Sequence, residues 1–425
     1  MVIRKRIIHF TVLLSVLLGS CQPMEKRQPV TQPWEATIQV SVPTDTVVPT
    51  EIPTPTPVPE MVLVEPNDVA FTPTPFAINQ QGNLNLFALP SAGENHIYGL
   101  YGFPPDINPL TGEKVDDPAI LERRPILSKI SNFPAGTGRP HAGLSYADVV
   151  FEYYIGEYMN RFLALFYSKD TPKAWPLRSG RLVDPQLTSM FQGILVYGNA
   201  DEARTEVIQE ILGEHSLAFK ESPCPPICGY ETHDATGVYV ITNEVTKFLN
   251  DKGIENKKPY LNSWVFDNQA PFSNQPADTV GVQFIRWNRG EWRFNAASGK
   301  YLRWIESWDD ADYPLIPLVD EVNGDQISFS NIIILFAEYN EIAPTAHDVK
   351  IWNNTHGEKA YFFRDGVMIQ GGWYTPDRNK PMVFLNQDGT PYRLKPGNTW
   401  IVIAGLASEF KQTDAGKYYL YFDLP

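Results

Sequence analysis

Two arginines bracket a Ser-Gly pair in the stretch WPLRSGRLVD, Trp175 to Asp184. A guanidinium is planar, permanently charged and able to hold two oxygens at once. Arg178 and Arg181, three positions apart in a turn, can therefore converge on a carboxylate or phosphate, and Arg161 and Arg139 could join them. The competing use of the same residues is internal pairing with Asp148, Glu152 or Asp184. Because an arginine held against a buried carboxylate is a common structural device, internal pairing is the favoured expectation. Asp148 and Glu152 fall on one face of a strand by alternation. With Glu157 nearby they supply a carboxylate pair of the kind that hydrolyses glycosidic bonds as general acid and base. Acids on the wet side of a strand would show the same pattern.

Other candidates are weaker. The Gly198-Asn199 turn leads into a helix whose free amides suit an anion, but Asp201 and Glu202 already complement that helix start. His141, His215, His233, His347 and His356 are scattered, and a dyad at His347-Asp348 is an ordinary pairing. Gly143-Leu-Ser-Tyr-Ala147 falls one glycine short of a nucleophile elbow, and no Walker, His-Glu-x-x-His or dinucleotide fingerprint occurs. Cys224 and Cys228, with His233 close by, lack a second ligand pair to complete a zinc site, so no metal and no cofactor is expected.

Charge and termini say where the protein works. A net charge of −14 with no basic run after the N-terminus excludes nucleic acid as the expected partner. Arg4-Lys5-Arg6 precedes an apolar run, Ile7 to Leu18, that is too short to span a bilayer about 30 Å thick. Leu18-Gly-Ser-Cys21 then has the form of a lipobox, so residues 1–21 read as a lipoprotein signal peptide with Cys21 as the lipidated residue. Acyl chains there would attach the chain to the cell membrane on its extracytoplasmic side. With Cys21 acylated, Cys224 and Cys228 remain as a pair in an oxidising compartment, which favours a local disulfide.

The elements that must position these residues follow in two regions. Residues 22–83 are rich in Pro and Thr and read as a disordered tether, reaching on the order of 190 Å extended or about 45 Å as a coil. Between 100 and 260, strands at Ile126–Ser131, Asp148–Ile155, Arg161–Tyr167 and Ile194–Tyr197 are interleaved with helices near 182–191, 201–212 and 242–249. The first of these helices is expected to start at Asp184-Pro185. This is an α/β or α+β N-terminal domain. A β-rich C-terminal domain follows at 270–425, with hairpin turns at Asn288-Arg-Gly and Ser298-Gly-Lys and strands continuing to Trp400–Ile403.

Asn108-Pro-Leu-Thr-Gly112, Arg139-Pro-His-Ala-Gly-Leu-Ser-Tyr-Ala-Asp148 with Glu152, Arg161-Phe-Leu-Ala-Leu-Phe166 and Pro176-Leu-Arg-Ser-Gly-Arg181 occur in that order. Tyr361-Phe-Phe-Arg-Asp-Gly366, Gly371-Gly-Trp373 and Pro396-Gly-Asn-Thr-Trp400 follow. Together they resemble the YerB-like family of bacterial lipoproteins, in which the arginine block commonly reads Gly-Pro-aliphatic-Arg-Ser-Ala-Arg. This chain departs from that pattern at Trp175, and at Gly198-Asn-Ala-Asp201, where relatives tend to carry Gly-Gly-Ser. The resemblance implies a tethered, two-domain envelope protein and brings no catalytic residue with it. The leading expectation is a non-enzymatic factor binding a cell-wall component, such as peptidoglycan, or a wall-synthesis protein. The alternative is a hydrolase or transferase acting on an anionic envelope glycan or phosphodiester.

Overall fold

The computed structural model describes residues 99, 102–230, 237–309 and 311–424. Cys21, the 1–21 leader, the 22–83 tether and His233 lie outside these residues.

Ten strands form one sheet. In chain order they are β1 (Ile126–Ser131), β2 (Val149–Gly156), β3 (Met159–Phe166), β4 (Ile194–Tyr197), β5 (Ser216–Ala218), β6 (Asn331–Ala337), β7 (Glu358–Arg364), β8 (Val367–Tyr374), β9 (Val383–Asn386) and β10 (Thr399–Gly405). Laterally the order is β9-β8-β7-β6-β10-β2-β3-β1-β4-β5. The first five come from the mixed region and the last five from the strand-rich one. The two regions meet where β2 and β10 pair in parallel, from Val149 opposite Thr399 to Tyr153 opposite Ile403. Both joint strands, VVFEYYIG and TWIVIAG, are nearly continuous apolar runs rather than alternating ones, which is what a strand buried on both faces requires.

Each face of this sheet has its own cover. Ile332, Ile334, Trp400 and Val402 point toward a second, seven-stranded sheet, while Ile333, Leu335, Ile401 and Ile403 point the other way. The second sheet runs Leu315–Pro317, Lys300–Glu306, Asn288–Asn295, Thr279–Ile285, Lys417–Tyr421, Glu409–Asp414, with Ser328–Phe329 beside Lys300–Glu306. In the mixed region, α1 (Val183–Met190) and α2 (Glu202–Leu212) pack Leu187, Met190 and Ile208 on the far face. On the near face α3 (Thr242–Lys252) buries Val245 and Leu249, and it ends at Gly253 in the left-handed conformation that favours glycine.

The N-terminal region thus mixes strands and helices and the C-terminal region is strand-rich, in agreement with the sequence. Two details differ. The terminal hairpin Glu409–Asp414 and Lys417–Tyr421 was not anticipated, and its second strand pairs in parallel with Thr279–Ile285. Helix α1 starts at Val183 rather than at Asp184-Pro185, because the Asp184 carboxylate folds back inside the first turn to accept the Arg181 amide at 2.7 Å.

Candidate functional site

The stretch holding Arg178 and Arg181 lies across the carboxyl ends of the parallel strands β1 and β4. Its path is set by main-chain bonds: Ser131 N–H donates to Pro176 O, Arg178 N–H to Lys129 O, Gly198 N–H to Arg178 O and Gly180 N–H to Asn199 O, all at 2.8–2.9 Å. In open α/β sheets ligands bind beyond the carboxyl ends of the strands.

Cations converge there. Arg161, on β3, is 3 % exposed and donates to the main-chain carbonyls of Phe133 and of Asn160, the latter at 2.9 Å. Arg181 donates to Gly180 O at 2.8 Å and Ser179 O at 3.3 Å. Beneath them Lys129, fully buried in β1, places Nζ 2.9 Å from Asp184 Oδ1, and the Tyr153 hydroxyl bonds to both. Arg204, on α2, pairs with Asp201 and donates to Thr345 O at 2.8 Å. The crowding shows in the proton affinities. Burial, then the neighbouring Arg178 and Arg181, hold the Arg161 guanidinium well below its usual range. Burial and then Arg204 lower Arg181, against the pull of Asp184. Burial pushes Lys129 down to about 7, with Asp184 opposing and Arg181 and Arg161 adding to the fall.

Internal pairing, the favoured sequence expectation, is not how Arg161 and Arg181 are satisfied. Their guanidinium bonds go to carbonyls, and Asp184 receives the Arg181 amide and the Lys129 ammonium. Arg139, expected as a fourth member, is committed elsewhere. It donates to the Glu306 carboxylate at 2.6 Å and the Glu306 carbonyl at 2.7 Å, so it is corrected from anion ligand to structural ion pair.

The proposed acid and base are corrected as well. Asp148 is 3 % exposed and is used up by Asn108, Ser168 and the amides of Tyr167 and Ser168. Glu152 is fully buried between the two sheets, accepting from Asn160 at 2.6 Å, Trp400 Nε1 at 3.0 Å and Arg303 at 3.2 Å. Burial raises both carboxyls, with hydrogen bonds opposing for Asp148 and Arg303 for Glu152. Neither can reach a substrate in solvent. His141 is no base either: its buried imidazole is pushed down to about 3 by burial and then by Arg139. At His347, the adjacent Asp348 pairs with Lys350 and Gln186, so no dyad forms. Cys224 and Cys228 are joined in a disulfide. Among the described residues no group of three His, Cys, Asp or Glu side chains is gathered to hold a metal ion.

Arg303 was missed from sequence and centres the packing between the sheets. Its guanidinium lies 3.9 Å over Trp292 and 5.1 Å from the Trp400 ring, desolvated cation–π contacts worth about 2 kcal/mol where favourable. Gly290 makes the room, since a Cβ there would fall 2.5 Å from Arg303 Nη2 and 2.6 Å from Cζ. Stacking pins that guanidinium, so it cannot yield freely. Gly290→Ala is expected to cost about 1–3 kcal/mol by overpacking, read as a lower urea midpoint at unchanged slope.

Comparisons with known proteins place this architecture. Residues 110–253 match the N-terminal domain, and residues 280–401 the C-terminal domain, of a family described as protein of unknown function DUF3048. The chain is 25 % identical over 308 residues to the protein named "Putative lipoprotein YerB" of Bacillus subtilis (strain 168), covering 69 % of this chain and 85 % of that one. It also superposes on a crystal structure of YerB from Bacillus subtilis with a TM-score of 0.56 at 24 % identity, over 70 % of this chain and 96 % of that one, a likeness of fold. With both domains matched in order over more than half of its length, the chain belongs to the DUF3048 family.

Proposed function

We propose that the protein is a lipid-anchored, extracytoplasmic binding factor whose folded region holds an anionic cell-wall component at the Arg178–Arg181 loop. One observation carries this reading: Arg161, Arg178, Arg181 and Arg204 are gathered with Lys129 at the carboxyl ends of β1 and β4, where Arg161 and Arg181 bond to carbonyls rather than carboxylates. Such a cluster gains from an incoming anion, whose oxygens supply the charge that main-chain carbonyls only partly replace. Binding is favoured over turnover because Asp148 and Glu152, which a hydrolase or transferase would have needed at the surface, are interior. The lipobox at Cys21 and the Pro/Thr-rich stretch support delivery to the envelope from a membrane anchor. No helix among the described residues is long and apolar enough to cross a membrane.

The test is calorimetric titration of the full chain in detergent with inorganic phosphate and with purified peptidoglycan fragments at low salt. Arg178→Ala and Arg181→Ala are each expected to weaken binding about tenfold, the equivalent of one lost charge-assisted contact of about 1.4 kcal/mol. Unchanged affinity in both variants, or turnover of the fragments, overturns the reading.

A further inference from the structure

We infer that the anion held at this loop is borne on a saccharide, whose rings lie on an aromatic shelf adjoining the arginines; this rests on the anion-binding reading above. The shelf is continuous. The Phe133 ring meets Trp308 at 5.3 Å between centroids, Trp308 meets Tyr313 at 5.6 Å, and Tyr313 meets Trp287 at 6.4 Å. The Tyr158 carbonyl accepts from Asn288 at 2.6 Å, tying that turn to the strand beside Trp287. Phe133 is a buried anchor and Tyr313 is half-buried, while the outer rings are open, Trp308 at 43 % and Trp287 at 38 % exposed. Contiguous exposed aromatics on a folded surface mark a binding site, since single scattered ones need no explanation but a row does.

The shelf and the cation cluster share a residue. Arg161 donates to the carbonyl of Phe133, the residue whose ring packs on Trp308, so the shelf starts where the charge is. A ligand spanning both must offer an anionic group at one end and flat, weakly polar faces along its length. The C–H faces of pyranose rings stack on indole and phenol in this way, while their hydroxyls seek planar acceptors. Asp309 follows Trp308 and Asp312 precedes Tyr313 in sequence, with Asp312 3.6 Å from Arg286.

The experiment titrates the full chain in detergent with three probes: inorganic phosphate, a neutral chitooligosaccharide and a phosphorylated chitooligosaccharide. The phosphorylated oligosaccharide is expected to bind at least tenfold more tightly than either of the others. Trp308→Ala and Trp287→Ala should each weaken both oligosaccharides about tenfold and leave phosphate unchanged, with the unfolding midpoint of each variant showing that the fold persists. Arg178→Ala should weaken phosphate and the phosphorylated oligosaccharide only. If the tryptophan variants bind the phosphorylated oligosaccharide like wild type, or if no oligosaccharide binds while phosphate does, the saccharide inference is overturned. Failure of phosphate binding with tryptophan-dependent oligosaccharide binding intact removes the arginine reading instead, and with it the acidic end of the proposed ligand.

Discussion

Arg303→Ala is expected to destabilise the fold by about 3–5 kcal/mol, because it strips a buried carboxylate of its charged partner. Arg303 and Glu152 are each 1 % exposed at the side chain and lie 3.2 Å apart between the two sheets. In the variant Glu152 keeps only neutral donors, Asn160 and Trp400, and the space over Trp292 is emptied. The loss should depend on pH in a definite direction. Burial already raises the Glu152 carboxyl and Arg303 opposes that rise, so removing Arg303 raises it further. The variant then binds a proton in the folded state that the unfolded chain releases, and its stability falls with rising pH through that extra interval. Urea unfolding at pH 5 and pH 8 should therefore show the larger deficit at pH 8. Pairing the change with Glu152→Leu, as Arg303→Met/Glu152→Leu, should recover most of the loss, since a buried ion pair is often replaceable by well-packed apolar groups. A deficit below about 1 kcal/mol at both pH values would mean that water reaches the pair, as for an exposed ion pair.

Much of the local structure was legible because the apolar runs are bounded by clear stops. Ile126–Ser131 and Ile194–Tyr197 form strands over those very residues, and α2 ends where Gly213 follows Leu212. What could not be read was partnership over distance. The pairing of β2 with β10 joins residues about 250 positions apart in a parallel register, and parallel pairs have no turn to announce them. The same blindness explains the carboxylates. Alternation places Asp148 and Glu152 on one face of a strand, but it cannot say whether that face meets water or a second sheet. Here it meets a second sheet, whose Arg303 shares the inward face of its strand with Tyr301 and Ile305.

The candidate site was partly legible for the same physical reason. Arg178 and Arg181 are neighbours in sequence, and Arg161 follows β2 through a short hairpin, so local geometry brings them near one another. Arg139 looked equivalent, yet its partner Glu306 lies 167 positions away. Lys129 offered a signal that was not used. In ILSKIS a lone ammonium interrupts an otherwise uncharged strand, and such a charge must be buried with a counter-ion or sit at an edge. The counter-ion is Asp184, which the sequence offers both as a partner for the arginines and as the start of a helix.

That pair gives the second large effect. Asp184→Ala is expected to cost about 3–5 kcal/mol near pH 6, again by leaving a buried charge unpaired, with the bonds from Tyr153 and the Arg181 amide lost in addition. Its pH dependence runs opposite to that of Arg303→Ala. Lys129 has a folded-state value of about 7 against 10.5 in the unfolded chain. Between these the unfolded state binds more protons, so wild-type stability gains from Lys129 as pH rises, and stops falling once pH drops below about 7. Without Asp184 the ammonium is disfavoured further, so the variant continues to lose stability below pH 7 where wild type does not. The deficit should widen as pH falls toward 5.5. Above pH 9 Lys129 is neutral in both folded proteins, and only the loss of the two hydrogen bonds remains, about 1 kcal/mol each. Lys129→Met provides the control. It is combined with Asp184→Leu, because Lys129→Met alone would leave the Asp184 carboxylate buried and unpaired; with both charged groups gone, the deficit of the double variant relative to wild type should not widen between pH 7 and pH 5.5. If the Asp184→Ala deficit is flat over that range without the control, Lys129 is not the charge that Asp184 neutralises, and the buried pair beneath the arginine loop must be assigned differently.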